Sequence, residues 1–251
     1  MVFDYESVKR ALNETGEFSS NLSAAANQPT PQWMIFADPP RHTRLRALIQ
    51  RAFTPRMIAD LEPRIRELSR RLLDKMVDGE TIDLSGGFSV PLPLMVIAEM
   101  IGIPAADWAR FRRWSDVILL LSCTAFDAAA STRAAAEYFA VTEEMRAYLP
   151  GLTAPRKAKP ENDLLTRLVE AEVEGERLSD EEILAFVQLL IVAGNETTAN
   201  LINNAVLCFI ENPQALAQIR APGGTPARGH RRSAALPFPA AVYVPRDAPR
   251  R

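Results

Sequence analysis

Two short strings hold residue types whose spacing could do chemistry. The first is Ala193-Gly194-Asn195-Glu196-Thr197-Thr198, which follows the apolar run Leu189-Leu190-Ile191-Val192 inside a pattern that otherwise reads as one long helix. Glycine in a helix interior costs about 1 kcal/mol relative to alanine, and β-branched threonine is a poor helix former. A local break of the helix rules of this kind suggests a site. Thr197 lies four residues after Ala193, so its hydroxyl can take the Ala193 carbonyl and open the helix locally. Ala193 and Gly194 leave room for a flat ligand to approach the backbone, and Glu196 can feed protons inward. The same string also reads as a polar seam between packed helices with a threonine back-bond. The residues alone leave both readings open.

The second string is Asp38-Pro39-Pro40-Arg41-His42-Thr43-Arg44-Leu45-Arg46. His42 and Arg46 are four apart and share one helix face. Together they can donate several hydrogen bonds to carboxylates; the alternative is a solvated basic face. Cys123 and Cys208 both lie in apolar segments, with no metal-ligand spacing and no CxxC motif. That pattern predicts reduced core cysteines and fits a cytoplasmic protein.

The elements that must position these strings are overwhelmingly helical up to about Arg220, so the fold class expected is mainly α with little sheet. Tyr5 to Asn13 is a short helix, and Glu14 to Asp38, with Pro29 and Pro31, reads as a long loop. Leu45, Leu48, Ile49 and Ala52 give Arg41 to Phe53 a helical period. Pro55 opens the next helix, whose apolar positions run from Met57 to Met76 and which closes near Gly79. Thr81 to Leu84 is a candidate short strand. Pro91 to Ile101 is a buried helix ending at Gly102, and Ala105 to Cys123 and Ala128 to Leu149 form a helix pair. Pro150 to Pro160, with three prolines and three basic residues, reads as a surface connection.

Asp163 to Val173 is a further helix. Ser179-Asp180-Glu181-Glu182 then offers a capping box. It opens a helix that runs to about Glu211, where Asn212-Pro213 stops it. At 1.5 Å per residue this helix is roughly 50 Å long, a length that belongs to the central helix of a large bundle.

The chain has 251 residues, 47% hydrophobic and 24% charged, with a formal net charge of −2. These values describe a globular protein and exclude a disordered, collagen-like or disulfide-scaffold chain. They also exclude a globally basic nucleic-acid binder. Met1 to Glu6 shows no basic region followed by an apolar run, so no signal peptide is expected. The longest apolar stretch, Ile183 to Ala193, is broken by Gln188 and falls short of the roughly 20 residues that span a bilayer. Residues 221–251 differ in kind: six Pro, three Gly and six Arg against one acidic residue, Asp247. They read as a basic disordered tail or as an out-of-frame translation of GC-rich DNA.

Taken together, the two strings resemble the bacterial soluble cytochrome P450 family, the haem-thiolate monooxygenases. Asp38-Pro39-Pro40-x-His42-Thr43-x-x-Arg46 followed by Phe53-Thr54-Pro55 is similar to the start of that family's C-helix. Ala193-Gly194-x-Glu196-Thr197-Thr198 is similar to its I-helix oxygen-activation motif, and Tyr5-Glu6-x-Val8 to Phe18-Ser19 to its B-helix region. The resemblance implies a partial cytochrome P450 fold over residues 1–220, helices B to I/J, with 221–251 as an aberrant tail.

It further implies haem b as cofactor, with His42 and Arg46 on its propionates and Ala193 and Gly194 lining its distal face. Glu196 and Thr197 become the acid–alcohol pair that directs protons to the dioxygen being activated. The Glu14–Asp38 loop and the 105–149 helix pair become a substrate lid. Few polar anchors stand beside Trp108, Trp114 and Phe126 there, so the substrate expected is an apolar small molecule. The electron donor implied is a ferredoxin-type protein, and Arg44 and Arg51 are candidates for docking it, with plain solvation as the alternative.

The departures from the family are as specific as the matches. Its axial cysteine sits in a Phe-x-x-Gly-x-x-x-Cys-x-Gly loop downstream of the I-helix, and no such loop occurs in this sequence. Cys123 precedes the I-helix string and Cys208 lies within that helix, so neither suits the ligand position, and no metal ligand is assigned. The chain is therefore expected to be a fragment, inactive alone. A non-enzymatic helical binding protein and half of a split enzyme completed in trans are the alternatives.

Overall fold

The computed structural model describes residues 4–21, 31–76, 81–123 and 128–220. Its helices are α1 (Tyr5–Asn13), α2 (Arg41–Ala52), α3 (Pro55–Leu73), α4 (Pro91–Ile101), α5 (Trp108–Cys123), α6 (Ala128–Ala158), α7 (Leu164–Glu170), α8 (Asp180–Glu211) and α9 (Pro213–Arg220). The only strands among the described residues are β1 (Glu172–Val173) and β2 (Glu176–Arg177). The mainly helical class with little sheet is thus observed. The 221–251 tail lies outside the described residues, as do Phe126 and the 77–80 stretch around Gly79.

α8 is the axis of the molecule, with α4, α5 and α6 packed around it. All seven residues from Ile183 to Leu189 are buried, so this half of α8 is apolar on every side except at Gln188. Beyond it only Ile191, Asn195, Ala199 and Cys208 are buried. A helix that is apolar all round must be enclosed, and one with a single apolar stripe covers a core. α8 changes from the first kind to the second at Val192, immediately before the polar string. A smaller cluster of Leu68, Leu72 and Leu92, with Ile202 against it, joins α3 and α4 to the far half of α8.

Local chemistry explains most boundaries. The Thr54 hydroxyl accepts the Met57 amide at 3.2 Å and Pro55 begins α3. Both halves of the Ser179–Glu182 capping box are formed at 2.9 and 3.2 Å. Gly102, at φ 82°, ends α4 in the left-handed conformation that glycine adopts without strain.

Four expectations are corrected. Thr81 to Leu84 forms no strand and leads instead into a π-helical turn, Ser85–Ser89, where the Asp83 carboxylate accepts the Gly86 amide at 3.0 Å. The Glu14–Asp38 loop contains a 3-10 turn at Met34–Phe36, preceded by buried Trp33. α7 is shorter than expected, because Glu174 and Gly175 both adopt positive φ (54° and 83°) and turn the chain into a hairpin pairing Glu172 with Arg177.

The fourth is the largest: α6 continues through Pro150 and Pro155 to Ala158. A proline inside a helix costs about 3 kcal/mol or more, and the helix persists because its extension is packed. Thr153 and Arg156 are both buried. Arg156 donates to Asp163 at 2.7 Å, to the Leu152 carbonyl at 2.8 Å and to the Gly102 carbonyl at 3.2 Å.

Candidate active site

Ion pairs on three sides fix the start of α8. Asp180 pairs with Lys157 at 3.4 Å, Glu181 with Arg146 at 2.6 Å, and Glu182 with Arg44. Three acidic residues also suit the positive end of a helix dipole. Arg44 reaches Glu176 as well, at 3.3 Å. Its guanidinium therefore bolts α2 onto α8 and the hairpin, while Arg51 is exposed. One turn on, Phe53 meets Phe186 edge to face, with centroids 6.0 Å apart. The two strings picked out by sequence are thus carried on helices locked to each other.

The polar string itself is helical without interruption. The Thr197 hydroxyl donates to the Ala193 carbonyl, as the four-residue spacing anticipates, but the helix does not open. Ala193, Thr197 and Thr198 are exposed, while Glu196 is half-buried and makes no hydrogen bond or ion pair among the described residues. Gly194 faces α4: a Cβ there would stand 2.9 Å from Ile97 Cδ1. Its missing side chain therefore serves the approach of two helices, and Ala193 keeps the open side. Asn195 turns inward and donates to the Ser115 hydroxyl of α5 at 3.2 Å, leaving its Oδ1 without a partner among the described residues.

On α2, His42 is half-buried and Arg46 exposed. Arg46 has no hydrogen-bonding or ion-pair partner among the described residues. His42 stands at the start of the helix beside Asp38, whose carboxylate is held below its ordinary range by the Ser19 hydroxyl, the Ser20 amide and the nearby His42 charge. Sequence reading placed Trp108 and Trp114 in a substrate lid. The structure uses them as struts: Trp108 donates to the Ile103 carbonyl at 3.3 Å, and buried Trp114 donates to Glu144 at 3.0 Å. Gln188, Asn195 and Arg44 were missed as organising residues. Only Gln188 left a signal, as the one polar residue in the apolar run.

These residues fit one side of a haem. Arg46, unpartnered and exposed, offers donors for a carboxylate, with His42 one turn before it. Ala193 and Thr197 offer a small-residue helix face on which no bulky side chain stands. Along α8, Thr197 lies roughly 16 Å beyond the turn that Phe53 grips, at 1.5 Å per residue. The opposite side is not supplied by the described thiol, since Cys208 is buried within α8 itself.

Comparison with known proteins agrees with this arrangement. The sequence model described as Cytochrome P450 matches residues 113–223. The putative cytochrome P450 YjiB of Bacillus subtilis is 39% identical over 221 residues, covering 87% of this chain and 55% of that protein. The methyl-branched lipid omega-hydroxylase of Mycobacterium tuberculosis is 39% identical over 223 residues, covering 84% and 50%. The ligand-free structure of cytochrome P450 TbtJ1 superposes with a TM-score of 0.79 at 38% identity, covering 92% of this chain and 59% of that one. The chain matches the N-terminal and central part of bacterial soluble cytochromes P450. It spans about half the length of the curated relatives it matches.

Proposed function

We propose that this chain forms the dioxygen-facing side of a haem-dependent monooxygenase that hydroxylates an apolar small molecule. The observation that carries the reading is the Thr197–Ala193 hydrogen bond on the exposed face of α8, with Glu196 beside it. Thr197 holds a hydroxyl proton at a fixed point on that face, and Glu196 replenishes it; an unpaired carboxyl adjacent to an alcohol is a suitable general acid. His42 and Arg46 orient the cofactor by charge-assisted hydrogen bonds to its propionates. Ala193 gives the flat ligand access to the helix. When bound, haem supplies the iron at which dioxygen is activated, with electrons from a ferredoxin-type donor. A cytoplasmic location goes with this reading, as does the free buried thiol of Cys208. No helix among the described residues is long and apolar enough to cross a membrane.

The apolar substrate is supported by the relative whose name specifies a methyl-branched lipid. The family's cysteine loop does not occur in the 251 residues. We therefore read the chain as inactive until a segment bearing that thiolate joins it, within one polypeptide or in trans.

The test is a ferrous–carbon monoxide difference spectrum on the purified chain supplied with haemin. It is recorded alone and after co-expression with the C-terminal half of the Bacillus subtilis relative. A thiolate-type Soret band only in the second sample is the expected result, with weaker haemin uptake in a His42→Ala/Arg46→Ala variant. No haem uptake in either sample overturns the reading in favour of a non-enzymatic helical binding protein. A thiolate-type band from the chain alone overturns the assignment of the missing ligand.

A further inference from the structure

Gln188 is 2% exposed, yet every hydrogen-bonding position of its amide is filled. Trp33 Nε1 donates to its Oε1 at 3.1 Å, and the Tyr138 hydroxyl donates to the same oxygen at 2.7 Å. Its Nε2 donates to Thr142 Oγ1 at 2.9 Å and to Met145 Sδ at 3.9 Å. An amide has two acceptor sites and two donors, so none is left over. Burying such a group unsatisfied costs about 1–3 kcal/mol, whereas a fully satisfied network rigidifies its surroundings and specifies one arrangement.

The partners belong to two other elements. Trp33 begins the 3-10 turn that leads to Asp38 and, through it, to α2 with His42 and Arg46. Tyr138, Thr142 and Met145 lie on α6, a helix of the expected lid. The rings of Trp33 and Tyr138 meet edge to face at 6.2 Å, and Trp33 stacks on Phe36 at 5.8 Å. Burial raises the Tyr138 pKa, so the phenol stays protonated and remains a donor at neutral pH. Gln188 itself stands five residues before Ala193. One amide therefore meets the segment leading into α2, the lid helix and the helix carrying the Ala193–Thr198 string. An aliphatic residue here would bury as well but could not fix the spacing of the other two elements.

We propose that Gln188 is a positioning residue: its amide sets the separation between the Trp33–Phe36 segment and α6 above α8, and so shapes the wall that an apolar substrate meets. The substrate rests on the monooxygenase reading; the positioning does not.

The full chain, without haem, carries the main test. Its three tryptophans have distinct indole partners, so a ¹H–¹⁵N spectrum resolves Trp33 from Trp108 and Trp114. Gln188→Leu shifts the Trp33 indole resonance upfield and leaves the other two in place. Amide exchange speeds about tenfold in residues 31–37 and 136–146, as for one lost buried hydrogen bond, and is unchanged in α4. Gln188→Glu keeps the acceptor oxygen and restores the Trp33 resonance. If Gln188→Leu does not fold, Trp33→Phe serves in its place: exchange then speeds in 31–37 and not in 136–146.

An unmoved Trp33 resonance, or exchange that speeds equally in α4, overturns the proposal. In the haem- and thiolate-completed assembly, Gln188→Leu raises KM for an apolar substrate more than it lowers kcat; equal loss in both overturns the wall. A negative carbon monoxide spectrum would sink the monooxygenase reading and leave the indole result standing.

Discussion

The Thr197 hydroxyl donates to the Ala193 carbonyl one turn earlier in α8, and both residues lie on the exposed side of that helix. A threonine so placed contributes little to folding, since its bond is local and alanine is the better helix former by several tenths of a kcal/mol. Thr197→Ala is therefore expected to leave the urea midpoint of the chain unchanged or slightly raised. In the thiolate-completed assembly the same variant should lose about 10²-fold in product formation, the usual scale for a positioned proton donor. Thr197→Ser, which keeps the hydroxyl, should retain most of it. Product per reducing equivalent consumed is the measurement.

Arg156 and Asp163 form an ion pair with side chains 5% and 8% exposed, and Asp163 also caps α7 by accepting the Thr166 amide at 2.8 Å. Removing one member leaves the other charge buried. Arg156→Met should destabilise the chain by about 3–5 kcal/mol, read from urea unfolding. The double variant Arg156→Met/Asp163→Asn should recover part of the loss, because no lone charge remains.

Gly194 sits where a Cβ would come within 2.9 Å of Ile97 Cδ1. The neighbour is the end of a flexible side chain, so alanine should be nearly neutral, its propensity gain offsetting the contact. Valine cannot be accommodated that way and should cost about 1–3 kcal/mol, the range for overpacking. Adding Ile97→Ala to Gly194→Val should return less than the sum of the two separate losses. The cycle is measured by denaturant unfolding.

The Glu181 carboxyl lies below its ordinary value of 4.5 because Arg146 hydrogen-bonds it. A carboxylate with a depressed folded-state pKa contributes stability above its unfolded value, and that contribution is lost as pH falls through the folded value. Unfolding midpoints should thus fall as pH drops below about 4.5. The Glu181→Gln variant should show a shallower fall over the same interval. Equal slopes would remove the Arg146–Glu181 pair from the account of how α8 is held.

The parts of the fold legible in sequence are those decided within a few residues. Tyr5–Asn13, the Ser179–Glu182 capping box and the Gly102 stop each depend on near neighbours along the chain, and each is observed. The Thr197–Ala193 bond was legible for the same reason. The hairpin at 172–177 was missed because its positive-φ pair, Glu174 and Gly175, carries a weak turn signature. α6 was cut short at Pro150 because proline is a strong local signal, and only the burial of Thr153 and Arg156 explains why the helix overrides it.

By itself the sequence determined the helical class, the two polar strings and the residue types that carry the family resemblance, because helix periodicity and i, i+4 spacing are local properties. Only the tertiary structure decided that Arg44 is spent on Glu182, that Gly194 serves Ile97, and that Gln188 joins Trp33 to α6. Those pairings link residues up to 155 positions apart. Chain spacing carries no information about them; they are settled by which buried donors find acceptors once the helices close around α8.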